Sequence, residues 1–449
     1  MLTTDLHVIM GLGLTGQSVA AYLEKQDIPW LAMDSRLNPP NLAEFKQAYP
    51  HRLTILGEWD QAYLNQAARI VLSPGISLQT PIIAKQRQRG TPIIGDIELF
   101  AQGAHASNTP VIAITGTNAK STVTTLVGEI AKYLGEKVQI GGNLGVPALN
   151  LLQENETNLF VLELSSFQLE TTETLCPHVA SILNITPDHM DRYASLHAYQ
   201  QAKQRIYHQC RVAICNRDDN LTDHQSGLIE NKLYFTLNQP NAREFGLLYH
   251  QNEYYLTYED QLLIAVNELP LLGKHHYANA LAALAIGYGF GWSIQAMLPV
   301  LRSFKGLPHR CQFVREYVGV KWYNDSKGTN VGASCAAIEG LGSTLTGKLV
   351  LIAGGVGKQA DFRPLMHFAK QYVRHLVLIG EAAEEMAALC QAESLSFSLA
   401  NTMEKAVHQA KHAAIAGDSV LLSPACASFD MFQNFEHRGR VFMEIVENL

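Results

Sequence analysis

The residues best placed to do chemistry lie in the stretch VIAITGTNAKSTVTTLV, residues 111 to 127. An apolar strand runs into a turn of Gly116, Thr117, Asn118 and Ala119, and Lys120, Ser121 and Thr122 then open a helical pattern. Backbone N–H groups at such a turn, with the N-terminus of the helix behind them, form a seat for an anion. Lys120 would neutralise the β and γ phosphates of a nucleotide, and the Ser121 hydroxyl would reach Mg²⁺. The strict phosphate-loop pattern G-x-x-x-x-G-K-[ST] fails at both glycines, which are Ile114 and Ala119 here. An ordinary strand-to-helix turn with an exposed lysine is the competing reading.

Other segments hold residues that a nucleotide enzyme could use. In VLELSSFQLE the apolar approach places Glu163 at the end of a buried strand, where a carboxylate is costly unless a cation compensates it, and Mg²⁺ is the natural one. NITPDHMDRY gathers Asp188, His189, Asp191 and Arg192 after a strand, at the carboxyl edge where open α/β sheets bind ligands. GKHHYANALAALAIG sets Asn279 near the start of an alanine-rich helix, suited to adenine or phosphate. GLPHRCQF supplies Arg310, whose guanidinium can clamp a γ-phosphate in bidentate fashion. YNDSKGTN places Asp325 and Lys327 at a strand end.

The elements that must position these residues follow from periodicity. Apolar runs of four to eight residues alternate with helical patterns, as in parallel α/β layers. HVIM (7 to 10) leads into GLGLTG, where Gly11, Gly13 and Gly16 complete G-x-G-x-x-G, and WLAMD ends at Asp34, the position of a ribose-binding acid in a dinucleotide fold. Those glycines could serve a ligand or serve only helix-on-strand packing. Further strands are expected in LFVLELSS (159 to 166), VASILNIT (179 to 186), RVAICN (211 to 216), GVKWYND (319 to 325), KLVLIAGG (348 to 355), HLVLIG (375 to 380) and SVLLSPA (419 to 425). Joins near 98 and 305 divide the chain into domains of 1–98, 99–305 and 306–449.

With 449 residues, one core is too few. The mix of 47% apolar and 17% charged residues, without a long apolar run or a signal-peptide start, predicts a soluble cytoplasmic protein that does not engage a membrane. Seven scattered cysteines suggest neither a disulfide framework nor a zinc site, and a net charge of -7 argues against a nucleic-acid partner. A small-molecule substrate and a monomer are expected.

The loop ITGTNAKST resembles the T-G-T-N-G-K-[ST]-T loop of the Mur ligases, ATP-dependent enzymes that build the peptide stem of peptidoglycan. In that family Ile114 is no departure, whereas Ala119 replaces a usual glycine and His276 a frequent asparagine. The segments N-D-S-K-x-T-N and LSPACASFDMFQNFEHRG, residues 422 to 439, resemble the D-glutamate-adding branch, and the likeness runs from GLGLTG to FEHRG. The resemblance implies a Rossmann-like N-terminal domain, a central P-loop-type ATPase domain and a C-terminal Rossmann-like α/β domain. It implies ATP and Mg²⁺ as cofactors, with UDP-N-acetylmuramoyl-L-alanine and D-glutamate joined through an acyl phosphate.

By position, Gly116 to Thr122, Asn279, Arg310, Asp325 and Lys327 would bind ATP, with Lys120, His189, Lys203 and Arg310 acting in catalysis. Ser121, Glu163, His189 and Lys203, the last as a carbamate, would hold metal; without the resemblance Lys203 reads as one more solvated helix lysine. Leu14, Thr15, Asp34, Arg36, Ser73, Pro74, Gly75 and Asn143 would take the UDP-substrate, and Thr329, Lys358, Ser428 and Phe435 the D-glutamate. A dehydrogenase using GLGLTG for NAD, a folate or amino-acid tailoring ligase and a nucleotide-sensing scaffold are the rivals. The dehydrogenase has no need of Lys120, NDSKGTN argues against the tailoring ligase, and the scaffold gives Glu163, His189 and Lys203 no purpose.

Overall fold

The computed structural model describes residues 5–154, 156–223, 229, 231–271 and 273–449. The chain folds into two compact units: the first takes 1–185, 197–235 and 282–297, and the second takes 186–196, 236–281 and 298–449.

The first unit contains a five-stranded parallel sheet in the order Thr54–Leu56, Trp30–Asp34, His7–Met10, Arg69–Leu72, Ile93–Ile94. All four residues of the central strand His7–Met10 are buried, as expected of a parallel strand covered on both faces. The chain leaves that strand first to one side and then to the other, so its carboxyl end is a switch point where a crevice opens. The same unit holds six further parallel strands, in the order Lys232–Phe235, Val212–Asn216, Val179–Ile182, Val111–Thr115, Leu159–Glu163, Val138–Gly142. The strands expected over 159–166 and 179–186 stop earlier, at Glu163 and Ile182. The residues released from them form the loops that surround the phosphate-loop strand.

The second unit adds three antiparallel strands, Glu244–His250, Glu253–Tyr258 and Gln261–Ala265, where the sequence reading had none. The first turn is compact because Gln251 and Asn252 both adopt positive φ, 49° and 66°, the twist that suits a two-residue hairpin. Its second sheet runs Gln312–Tyr317, Val320–Asn324, Ser419–Leu422, Leu349–Gly354, Val373–Ile379, Phe397–Leu399, parallel except for the first pair. Trp322 and Phe442 pack there with ring centroids 6.2 Å apart, both out of solvent, and each contributes roughly 2–3 kcal/mol by burial.

Residue 98 falls inside the helix Asp96–Ala106, and residue 305 follows the helix Ile294–Ser303. No helix among the described residues is long and apolar enough to cross a membrane.

Candidate active site

A cleft of about 510 Å³ lies at the carboxyl edge of the five-stranded sheet. Leu14, Thr15, Asp34, Arg36, Ser73, Pro74, Gly75 and Asn143 all line it, so the eight positions expected to act on one ligand are brought together. Trp59, Ile76, Pro147 and Gln168 line it as well, and sequence reasoning did not select them.

The three fingerprint glycines separate into different roles. Gly11 has φ 95°, and a Cβ there would lie 2.8 Å from Ser73 Oγ. At Gly16 a Cβ would stand 1.8 Å from the Gly11 carbonyl, so the helix Leu14–Lys25 can sit this low only with glycine. Gly13 has nothing within 4 Å of a Cβ position and borders the cleft at the helix N-terminus. Packing needs explain Gly11 and Gly16, while Gly13 keeps the cleft open.

Asp34 does not present a bare carboxylate. Its Oδ2 accepts from the Leu12 N–H at 2.7 Å and from Arg36 Nη2 at 2.7 Å, and its Oδ1 accepts from Arg36 N and Nε at 2.8 Å each. Burial pushes its pKa up, but the Arg36 bonds and the two amides outweigh burial and hold it down at about 2. Asp34 therefore anchors the glycine turn and aims Arg36, whose side chain is 51% exposed.

The phosphate loop forms between the strand Val111–Thr115 and the helix Lys120–Tyr133. Asn184 builds it: its carbonyl takes the Thr117 N–H at 2.9 Å, its Oδ1 takes the Asn118 N–H at 2.8 Å, and its Nδ2 donates to the Asn118 carbonyl at 3.3 Å. Ala119 caps the helix with φ 67° and ψ −8°, a left-handed conformation that costs a non-glycine residue about 1 kcal/mol. Lys120 Nζ folds back onto the carbonyls of Gly116 and Thr117, 2.9 Å from each.

Lys203, on the helix Leu196–Gln204, is 1% exposed rather than solvated. Its Nζ donates to the Gly116 carbonyl at 2.9 Å and sits 4.6 Å over the Tyr199 ring, whose hydroxyl accepts from Thr117 Oγ1 at 3.4 Å. Glu163 ends the neighbouring strand, in register with Ile114, and is 2% exposed. Its Oε1 accepts from Asn143 Nδ2 at 2.7 Å, while its Oε2 is buried without a hydrogen-bond partner. A buried, half-satisfied carboxylate beside a phosphate loop has the donor chemistry of a magnesium ligand. Among the described residues no three His, Cys, Asp or Glu side chains gather into a metal cluster, so any such site also draws on hydroxyl or modified groups.

In the second unit, His189 adopts φ 56° and its Nε2 lies 3.7 Å from Asp188 Oδ2. That carboxylate also accepts from Asn330 Nδ2 at 3.3 Å, and Asn330 caps the helix Val331–Gly342 just after Thr329. Arg310 sits between His309, φ 62°, and Cys311, φ 44°. The turn is pinned by His309 N to Gln312 Oε1 at 3.0 Å, by Cys311 N to Asp325 Oδ1 at 3.2 Å, and by Lys327 N to the His309 carbonyl at 3.1 Å. Burial raises Asp325 to about 6 against the pull of Ser423 Oγ, 2.7 Å away, the Cys311 amide and the Arg310 charge. Lys327 Nζ stands 3.9 Å over the Phe435 ring.

The Lys358 and Ser428 positions flank a bridge in which Val356 and Ala427 exchange backbone hydrogen bonds at 3.0 Å. Arg438, fully buried, staples this region: its guanidinium donates to Ser326 O, Ser326 Oγ, Cys426 O and Ala427 O at 2.8 to 3.3 Å. Asn279 is the sixth residue of the helix Lys274–Phe290, in which the His275 and His276 ring centroids lie 3.9 Å apart with the rings tilted by 46°.

Family models match three stretches: the Mur ligase MurD-like N-terminal domain over residues 5–95, the Mur ligase middle domain over 114–287, and the Mur ligase glutamate ligase domain over 309–426. A UDP-N-acetylmuramoylalanine--D-glutamate ligase of Coxiella burnetii is 49% identical over 449 residues, covering both chains completely. The enzyme of the same name from Pseudomonas savastanoi is 49% identical over 99% of this chain and 98% of its own. The chain belongs to the Mur ligase family. The Mur ligase fold is matched by a pseudomurein peptide ligase type C of Methanothermus fervidus, 17% identical over 99% of both chains with a TM-score of 0.62. A UDP-N-acetylmuramate-alanine ligase of Thermotoga maritima, 16% identical over 99% of both chains, has a TM-score of 0.61. Within this Mur ligase, Asn184 and Arg438 are positioning residues that sequence reasoning passed over, although both lie inside motifs it quoted. Their role depends on backbone carbonyls and amides that no residue pattern displays.

Proposed function

We propose that this chain is an ATP-dependent amide ligase that joins D-glutamate to UDP-N-acetylmuramoyl-L-alanine in the cytoplasmic synthesis of peptidoglycan precursors. One observation carries the reading. Asn143 lines the cleft and donates at 2.7 Å to Glu163, whose strand is in register with the one that opens the phosphate loop. A substrate whose UDP part lies along Gly13, Arg36 and Ser73 would therefore direct its far end toward the γ-phosphate seat. We place the joins between the three domains near 98 and 305, in the stretches that lie between the three family matches.

Joining a carboxylate to an amine is uphill in water, so the carboxylate is first activated. A carboxylate oxygen of the L-alanine attacks the γ-phosphorus of ATP, the bond to the bridging oxygen breaks, and ADP departs from an acyl phosphate. The D-glutamate amine then attacks the acyl carbon, phosphate leaves, and the amine proton passes to solvent or a base.

The protein's part is positioning and charge neutralisation. Lys120 and the loop Gly116 to Thr122 hold the phosphates, Arg310 offsets charge on the transferred group, and Asn279, Asp325 and Lys327 complete the ATP set. Ser121, Glu163, His189 and a carbamylated Lys203 would hold Mg²⁺, which supplies further neutralisation of the phosphates. Lys203 as an ammonium donates to Gly116 and has no lone pair for a metal, so the role requires its amine to add CO₂ and lose a proton. Thr329, Lys358, Ser428 and Phe435 take the D-glutamate, and Lys358 pairs its side-chain carboxylate.

Phosphate release measured with ATP, UDP-N-acetylmuramoyl-L-alanine and single amino acids tests the reading. D-glutamate alone should support sustained turnover, and equal rates with L-glutamate would contradict it.

A further inference from the structure

The helix Asp96–Ala106 holds the segment that follows Glu163 at three points in its first turn. Gly95 N–H donates to the Thr171 carbonyl at 3.2 Å, and a Cβ on Gly95 would lie 2.3 Å from Thr171 Oγ1. Glu98 takes the Glu173 and Thr174 amides at 2.7 and 3.0 Å through Oε2, and the Thr174 hydroxyl at 2.6 Å through Oε1. Asp96 Oδ2 accepts from Gln168 Nε2 at 3.1 Å.

Gln168 passes that restraint on. Its Oε1 accepts from Ser165 N at 3.1 Å and Ser165 Oγ at 3.3 Å, while Ser165 Oγ accepts the Gln168 amide at 3.2 Å, closing a capping box two residues after Glu163. Gln168 itself lines the cleft. Asp96 is an expensive way to hold an amide: it is 2% exposed and its Oδ1 has no hydrogen-bond partner. A buried carboxylate satisfied on one oxygen destabilises the fold relative to an apolar side chain of similar size. Holding a polar acceptor at this position therefore costs stability.

We infer that Asp96 is a positioning residue for the nucleotide-sugar substrate, fixing through Gln168 the wall of the cleft that adjoins Asn143. The inference rests on the reading of the cleft as the UDP-substrate site. Asp96 touches no substrate. It locks the Gln168 amide with its oxygen toward Ser165 and its nitrogen toward the acid, so the face that Gln168 shows the cleft does not rotate. An asparagine at 96 can still accept from Gln168 Nε2, whereas a leucine, branched in the same way but larger, cannot.

The test is steady-state kinetics on the full-length protein. Asp96→Leu is expected to raise the KM for UDP-N-acetylmuramoyl-L-alanine about tenfold, the scale of one lost positioning hydrogen bond. The KM for ATP should stay within twofold, and Asp96→Asn should restore the substrate KM to within twofold of the parent. A substrate KM unchanged in Asp96→Leu overturns the inference, and so does a parallel rise of both KM values, which marks a merely structural role. Should Asp96→Leu not fold, Gln168→Met removes the same contact from the other end and must give the same selective rise. Arg36→Ala is the control on the cleft: if it too leaves the substrate KM unchanged, the site reading fails rather than the role of Asp96.

Discussion

Lys120 Nζ and Lys203 Nζ donate to the same oxygen, the Gly116 carbonyl, each at 2.9 Å. Two ammonium groups that share one acceptor repel one another, and the pair holds the phosphate loop by its first residue. Arriving phosphates offer Lys120 a stronger partner than a carbonyl, whereas Lys203 is walled in by Tyr199. Lys203→Ala is expected to lower ATP-dependent phosphate release at least 100-fold, the scale of one lost charge-stabilising group, and short carboxylates should restore part of it. An unaltered rate would remove Lys203 from the site.

Ala119 should be replaceable to advantage. Its φ of 67° suits glycine, so Ala119→Gly relieves strain of about 1 kcal/mol and returns part of it as unfolded-chain entropy. A rise in Tm of about 2 °C is expected, with the KM for ATP equal or lower. Differential scanning calorimetry decides it, and a fall in Tm would show that the methyl group makes a favourable contact.

Arg310 should not tolerate lysine. Its turn is held by two residues at positive φ and three hydrogen bonds, a rigid mount that presents a planar fork rather than a point charge. Arg310→Lys is expected to lower kcat roughly 100-fold, the scale of a lost charge-stabilising group, with the far-UV circular dichroism unchanged. A loss below about fivefold would mean that charge alone suffices there.

Asp96 should make stability depend on pH. Burial lifts its pKa from 3.8 to about 6 against the pull of Gln168 and the helix amides, so the folded state keeps a proton that the unfolded chain releases. That proton favours folding fully below pH 3.8, and the advantage is lost as the pH rises through about 6. Above that, the charged form costs up to roughly 3 kcal/mol. Asp96→Asn should therefore stabilise the protein by about 2 kcal/mol at pH 8 and by nearly nothing at pH 4. Urea titrations at the two pH values measure the difference, and an equal gain at both would assign the effect to packing.

The fold was legible wherever short apolar runs could be counted. Strands 7–10 and 30–34 have the expected bounds, because a parallel strand covered on both faces must be apolar throughout. The antiparallel hairpin at Gln251 and Asn252 was not legible, since its turn depends on two positive φ angles in residues other than glycine. The eight cleft residues were found from spacing and likeness, and they do line one cavity. Lys203 looked like a solvated helix lysine until the fold turned it inward. Asn184, Gln168 and Asp96 escaped notice for one reason. Each acts by bonding to backbone or to another side chain across the fold, and polar residues of that kind occur in any loop.

The first turn of the helix Asp96–Ala106 also limits how the enzyme can be taken apart. A fragment cut at 98 would retain Asp96 and Glu98 but lose Gln168, Glu173 and Thr174, leaving two carboxylates on a frayed stub in place of a clamp. The piece that looks like a free-standing nucleotide-binding module is thus fastened to its neighbour by the residues that mark its border. Fragment screening and isotope-labelling work on that module should keep the chain intact through Thr174.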